Sequence, residues 1–449
     1  MVTSMRKKHI SSFQIIIFGF FMVIFIGSLI LMLPWATQSG QSASFADALF
    51  TSTSAVCVTG LIVQDTATYW SEFGQFIILI LIQIGGLGVV TMAVSFAVLS
   101  GRKIGLMQRS TMAEAISAHQ VGGIVRLTEF ILKTTFGIEC LGAVVMFPVF
   151  YKEFGFIKGI WYAVFHSVSA FCNAGFDLMG IKSQFSSLTS YAGHPVINFT
   201  IMFLIIIGGI GFLTWGEMRA KKFKFKKYRL QAKVILTSTL ILIIVPALFF
   251  FFYEFSLDSW KNMSFGERIL GALFQSVTPR TAGFNTLDLA AFSETGQAMI
   301  ICLMLIGGSP GSTAGGMKTT TAAVLVLSAA AVFAHRDSAS CFGRRITDDI
   351  IKNASTILLM YLILFLTGGM VISCIEQLPI LTCLFETASA IGTVGLTLGI
   401  TPQLSLVSRF ILIGLMFFGR VGGLNLIFAA VSGKHVYASK LPKEKITVG

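Results

Sequence analysis

Long apolar runs separated by short polar segments dominate the chain. Crossing the hydrocarbon core of a bilayer takes about 20 predominantly apolar residues in helical form. Eight stretches reach that length: residues 12–34, 73–99, 127–151, 196–218, 232–254, 297–333 (interrupted), 352–374 and 407–431. They fall into four pairs. Inside each pair lies a segment rich in Ser, Thr and Gly, too short to span and too polar to face lipid. Non-helical backbone at membrane depth survives only where protein buries it or where it lines a watery cavity. Each such segment is expected to enter the membrane and return on the same side, as a half-helix followed by an extended strand. The expected fold is therefore an all-α integral membrane protein. It has four tandem helix–pore loop–helix repeats around one pseudo-fourfold pore, with eight transmembrane helices and four re-entrant half-helices. The repeats are placed at 12–100, 124–219, 229–335 and 348–432, with a cytoplasmic or interfacial tail at 433–449.

The four short segments echo one another. They run Phe50–Val63, Phe165–Leu178, Leu273–Leu287 and Phe385–Leu398, and each ends in Gly followed by Phe or Leu. A half-helix that stops inside the membrane points one end of its dipole at the centre. Entering from outside, it offers its C-terminal, negative end, which suits a cation. Gly permits backbone angles that other residues avoid, so the returning strand can turn its carbonyls to one axis. Four such strands could replace the hydration shell of a cation with carbonyl oxygens, the chemistry of a potassium filter. The candidate lining is Cys57, Val58, Thr59 and Gly60; Cys172, Asn173, Ala174 and Gly175; Arg280, Thr281, Ala282 and Gly283; and Gly392, Thr393, Val394 and Gly395. Only the last Gly is common to all four, as main-chain coordination requires. The bland alternative is that these glycines merely allow tight helix contacts. Arg280 would repel cations from inside a pore, so its side chain is expected to point away and anchor the loop; the alternative is that it tunes the site.

The second members of the pairs carry Gly85-Gly86, Gly208-Gly209, Gly307-Gly308, and Gly419 followed by Arg420. In the first two, close helix packing is the expected role. The third cannot stay a regular helix. Its run of Gly307, Gly308, Ser309, Pro310, Gly311, Ser312, Thr313, Ala314, Gly315, Gly316, Met317 and Lys318 contains a proline that removes a donor and clashes with the preceding turn. The break at 306–318 falls below the filter level on the inner side, and an unwound segment there is expected to border the ion path as a gate. Its bland alternative is a structural kink. Arg420 lies in an apolar helix at similar depth, and an intramembrane charge is a functional-site hypothesis by default. It could repel resting ions, or bond the Gly308–Gly316 carbonyls and hold the gate shut.

Composition fits this reading. The chain is 55% hydrophobic and 12% charged, and 42 of its 449 residues are Phe. Soluble domains carry about 25% charged residues. The net charge of +13 does not indicate nucleic acid, because the basic residues cluster between apolar runs. The clusters are Arg6–Lys8, Arg102–Arg109, Arg219–Lys233, Arg336–Arg345 and Lys434–Lys445. All fall on one side if the helices alternate, so that side and both termini are placed in the cytoplasm. The N-terminal apolar stretch is too long for a signal peptide and is expected to remain as the first span. The opposite face holds Asp65, Glu72, Asp177, Glu254, Asp258, Asp288 and Glu294. These are either an acidic vestibule that concentrates cations or ordinary solvated loop residues.

Enzyme chemistry is not expected. Gly311 to Thr319 nearly spells a phosphate-binding loop, but Met317 spoils the spacing and an apolar helix precedes it. The six histidines show no metal spacing, and Glu139, Glu217 and Arg420 do not cluster in the repeat map. The seven cysteines, an odd count without C-x-x-C, read as small buried residues. An alternating-access carrier would show two halves of inverted topology, whereas the four copies share one orientation.

The segments DALFTSTSAVCVTGLIVQDT, IQIGGLG, FHSVSAFCNAGF, VTPRTAGFNTLD, the break at 306–318, FETASAIGTVGLTLGITPQLS and FGRVGG together resemble the Trk/Ktr/HKT superfamily of potassium transporters, and most of all the bacterial Ktr membrane subunit. The resemblance implies a multi-pass plasma-membrane homodimer with one pore per subunit. It also implies a cytosolic ring of KtrA-type nucleotide-binding subunits that controls opening, and K+ uptake with Na+ as coupling ion. No organic cofactor in this chain and no nucleic-acid partner are expected. By the same resemblance Gly60, Gly175, Gly283 and Gly395 match filter glycines, 306–318 the intramembrane gating loop, and Arg420 the arginine facing it. Glycine in all four loops goes with K+ selection. Cys57 and Cys172 depart from the pattern and put thiol sensitivity in question. A Na+-permeable HKT-like transporter and a TrkH-type subunit are the alternatives.

Overall fold

The computed structural model describes residues 12–89, 91–92, 105–115, 123–222 and 224–422. The tail at 433–449, the basic clusters at 6–8 and 434–445, and parts of the stretches 73–99 and 407–431 lie outside the described residues. The described chain is mostly helical, and twelve of its helices follow one order. A leading helix is followed by a short middle helix, a loop and a trailing helix. The leading helices are Ser12–Leu31, Ile124–Phe154, Leu230–Phe252 and Asp348–Glu376. The middle helices are Phe45–Val56, Phe156–Phe171, Phe265–Val277 and Ile380–Gly392. The trailing helices are Glu72–Leu87, Pro195–Ile210, Glu294–Leu305 and Leu406–Val421.

Local sequence explains where these helices begin. Ser44, Ser71, Ser264, Ser293 and Ser405 are N-caps whose side chains accept a hydrogen bond from a backbone N–H of the first turn. Such a cap satisfies one of the donors that every helix start leaves unpaired. At Ser264 the pairing is reciprocal, because Glu267 accepts from the Ser264 N–H at 2.8 Å. Pro195 opens its helix in the first turn, where a missing N–H costs nothing.

Helix ends differ from the sequence expectation. Among the described residues, the leading helix of each unit is long and apolar enough to cross a membrane. The trailing helices are not single long spans. Three of them have 16 residues, about 24 Å of rise against a hydrocarbon core of about 30 Å. They stop at Gly88 (φ 87°), Gly211 (φ 99°) and Gly422 (φ 86°). After Gly211 the chain continues as Phe212–Lys221, bent by 92° from the helix before it. The third trailing helix stops at Leu305, and a new helix starts only at Thr319. The sequence predicts a break in the third unit alone, but the helix stops at a matching place in all four. The cause in three of them is one glycine in a left-handed conformation, a signal that a lone Gly in an apolar run does not announce.

Close packing at the paired glycines is present. A Cβ on Gly85 would come within 2.8 Å of the Val56 carbonyl carbon, and one on Gly419 within 3.0 Å of that of Ile391. Gly208 faces the Phe171 carbonyl oxygen in the same way. The trailing helix thus rests directly on the C-terminal carbonyls of the middle helix of its own unit.

The loops are tied across units. Asp65 accepts from the N–H of Ala67 (3.0 Å) and Thr68 (2.9 Å) and, in the next unit, from the N–H of Phe185 (2.9 Å). Leu188 donates its N–H to the Asn285 carbonyl at 2.9 Å. Arg409 pairs with Asp47 at 2.9 Å, joining the last unit to the first. Glu254 accepts from Ser293 and Trp260 within its own unit. Asp65 and Glu254 are therefore buried anchors of the loops, and neither lines an open acidic mouth or sits in solvent.

Candidate functional site

The four Gly-ended loops meet. A Cβ built on Gly60 would collide with the carbonyl oxygen of Ala174, and one on Gly175 would lie 2.7 Å from that of Ala282. On Gly283 it would lie 2.5 Å from the Val394 carbonyl oxygen, and on Gly395 it would collide with that of Thr59. Each glycine therefore faces the carbonyl just before the glycine of the next loop, and the cycle closes on itself. The Thr59 carbonyl oxygen is also 3.3 Å from the Cβ position of Gly283, on the non-adjacent loop. The ring is thus narrow enough for opposite loops to approach.

The backbone repeats with the same regularity. Val58 (φ 57°), Asn173 (φ 60°), Thr281 (φ 64°) and Thr393 (φ 51°) are left-handed, as are the glycines two residues later (φ 91°, 70°, 78° and 93°). An ordinary strand sends successive residues to opposite faces. Alternating left- and right-handed residues turns successive carbonyls towards one side, the arrangement that a carbonyl cage needs. For β-branched Val58, Thr281 and Thr393 that conformation is an outlier. Strain of this kind costs on the order of 1–3 kcal/mol per residue and gathers at functional sites.

Hydroxyl groups hold the strands in place. Ser54 accepts from the Gly60 N–H and Ser389 from the Gly395 N–H, both at 3.0 Å. Ser169 donates to the Phe176 carbonyl at 2.7 Å, and Thr278 to that of Phe284. Behind the fourth loop, Glu386 is fully buried and accepts from Leu398 N–H (3.2 Å), Thr401 (2.8 Å) and Thr397. These supports were missed in the sequence, although a serine six residues before the glycine recurs in loops one, two and four. Ser389→Ala would leave a buried N–H without a partner, at a cost of about 1–3 kcal/mol. A lower melting temperature of the purified protein in detergent is the expected result.

Every lining residue named from the sequence is buried around this ring. The Arg280 side chain leaves the ring, and its Nη2 donates to the Thr239 hydroxyl of the third leading helix at 3.3 Å. Cys57 and Cys172 are fully enclosed, so neither thiol is open to a reagent in this arrangement. Gln83 donates to Glu139 at 3.1 Å, and Glu217 accepts from the Arg229 N–H at 2.6 Å. With Arg420 bonded elsewhere, these three charges form no shared site.

Directly beneath the ring lies the segment Ile306–Lys318. Gly307 donates to the Met317 carbonyl at 2.7 Å and Thr319 to that of Gly308 at 3.0 Å, which brings the two ends of the segment together. Ser309 donates to Gly209, and Phe212 donates to Gly311 at 2.7 Å, so the segment occupies the bend of the second trailing helix. Thr313 donates to the Phe171 carbonyl (3.1 Å) or the Asn173 side chain (3.0 Å), at the foot of loop two. Gly315 packs against Thr393 and Gly316 against the Gly392 carbonyl, at the foot of loop four. Lys318 turns back to the Ala314 carbonyl at 2.9 Å. Arg420 donates to the Thr313 carbonyl and to those of Gly85 and Gly86. One guanidinium therefore joins the crossing segment to the ends of two trailing helices. A cavity of about 370 Å³ below is lined by Gly88, Pro310, Ser312, Lys318, Tyr361 and Arg420, among others.

Comparison with known proteins gives a consistent result. The TrkH family model, described as a cation transport protein, matches residues 4–437. The potassium/sodium uptake protein NtpJ of Enterococcus hirae is 40% identical over 457 residues, covering all of both chains. The Ktr system potassium uptake protein B of Bacillus subtilis is 39% identical over 93% of this chain and 92% of its own. The crystal structure of the potassium transporter TrkH from Vibrio parahaemolyticus superimposes with a TM-score of 0.71. At 20% identity it covers 95% of this chain and 86% of that one, and it supports the fold alone.

Proposed function

We propose, from the premise that the chain belongs to the TrkH family of cation transport proteins, that it is the potassium-translocating subunit of an uptake system in the plasma membrane. The observation that carries this reading is the closed cycle in which Gly60, Gly175, Gly283 and Gly395 each face the carbonyl before the next glycine. Four loops of one backbone pattern and differing side chains suit an ion held by main-chain oxygen. K+ is the transported substrate, stripped of water in the ring. The full reading is four repeats around one pore, with eight crossings, the trailing helices crossing as broken spans, and both termini in the cytoplasm.

The segment at 306–318 is the gate, and Arg420 is its latch. The segment crosses beneath the ring between loops two and four, where an ion leaving inward must pass. A homodimer controlled by a cytosolic nucleotide-binding ring and driven with Na+ completes the proposal. The name of the Ktr relative, which speaks of a system, and that of the potassium/sodium relative support the partner and the second ion. The test is uptake of K+ and of Na+ by a transport-deficient cell expressing this chain with and without a Ktr-type nucleotide-binding partner. Partner-dependent K+ uptake, faster when Na+ is present, is expected. Uptake of Na+ in preference to K+ would instead favour the Na+-permeable alternative.

A further inference from the structure

We propose that the Arg280 guanidinium, by its field, sets how tightly the inner end of the ring holds its ion; this rests on reading the ring as the ion-selecting element. The position three residues before the ring glycine is Cys57, Cys172, Arg280 and Gly392 in the four loops. Only the third loop places a charge there. The side chain is 4% exposed. Its Nε has no hydrogen-bond partner among the described residues, and its single bond to a side chain goes to the neutral Thr239. None of the ion pairs among the described residues includes it.

A buried, unpaired cation is costly, and an apolar side chain would fill the same space without that cost. The local electrostatics give the charge a task. Each middle helix ends beside its loop, and a helix C-terminus carries about half a negative charge. Four of them aim roughly two negative charges at the inner end of the ring. The Arg280 guanidinium, held back from the axis by Thr239, offsets part of that negative charge on the side of the third loop. A filter must bind strongly enough for entry and weakly enough for exit. Arg280 thus weakens the inner position and speeds release towards the segment beneath. It touches no ion and acts at a distance.

The experiment is the K+ concentration dependence of uptake by the full-length chain with its partner, for wild type, R280K and R280Q. R280Q is expected to lower the half-saturating K+ concentration on the order of tenfold, with a reduced maximal rate. R280K, which keeps the charge, should stay near wild type. A role confined to packing would lower the rate in both variants without tightening either. Unchanged or raised half-saturation in R280Q overturns the proposal. Should R280Q fail to reach the membrane, R280Q combined with T239K returns a charge from the facing helix. Wild-type half-saturation is then expected, and a tightened value overturns the proposal. K+ over Na+ preference, read in the same cells, separates the two readings. A wild type without preference defeats the ring, whereas preference with unchanged affinity in R280Q defeats only the role given to Arg280.

Discussion

Gly283→Ser is expected to cut K+ uptake at least tenfold and to abolish the preference for K+ over Na+, while the protein still inserts. Two costs combine at this position. The residue sits at φ 78°, where a side chain is strained by about 1–2 kcal/mol. The larger effect is steric. The new Cβ would lie 2.5 Å from the Val394 carbonyl oxygen and 3.0 Å from the Gly175 Cα, both backbone, so the ring itself must deform. A displaced carbonyl removes one ligand from the cage and widens it on that side. Gly60→Ser meets the Ala174 carbonyl and should behave alike. Gly40 supplies the control. It has φ 69° with nothing within 4 Å of its Cβ position, so Gly40→Ser carries the backbone strain without the crowding. Uptake and competition by Na+ should be near wild type there. Equal selectivity in wild type and all four ring variants would remove the main-chain filter from consideration.

Freeing the crossing segment should act in the opposite sense. Arg420→Ala removes the donor shared by Thr313, Gly85 and Gly86. Hydrogen bonds to a charged group contribute about 1.5–3 kcal/mol each, enough for one of them to move a two-state balance by tenfold or more. K+ flux at saturating K+ is expected to rise several-fold, with ion preference retained because the ring is untouched. Deleting residues 311–317 should raise flux further, since it also removes the Thr313 bonds at the foot of loop two and the Gly316 bond to the Gly419 carbonyl. Flux equal to wild type in both variants would count against the gate and leave a structural kink.

The sequence revealed the ring because its geometry requires one residue type. A left-handed residue crowded by a neighbouring carbonyl must be glycine, so four glycines mark four loops. The residues two positions earlier are just as unusual in conformation, yet Val58, Asn173, Thr281 and Thr393 share no identity and left no common mark. Their strain is held by surrounding bonds that any of several side chains permits. The break at 306–318 was legible through Pro310, a residue that a helix interior rarely tolerates. The stops at Gly88, Gly211 and Gly422 were not, because a single glycine in an apolar run serves packing equally well. For Arg420, the sequence pointed to the nearby segment, and the Thr313 carbonyl lies there. Gly85 and Gly86 stand 335 and 334 residues away along the chain, a relation that only the closed ring of units creates.

The bonds that tie the loops of neighbouring units carry a mechanical consequence. Asp65 to Phe185, Asn285 to Leu188, and Asp47 to Arg409 fasten three neighbouring junctions between units. Any motion that swung two halves of the molecule apart to face outward would have to tear those seams. Beneath the ring the units meet through the segment at 306–318, which bonds to Gly208, Gly209, Phe212, Phe171 and Gly419, and through the Arg420 guanidinium. If the segment at 306–318 is the gate proposed above, the ion enters through loops that stay fastened to one another, and opening is the movement of that one segment on their far side.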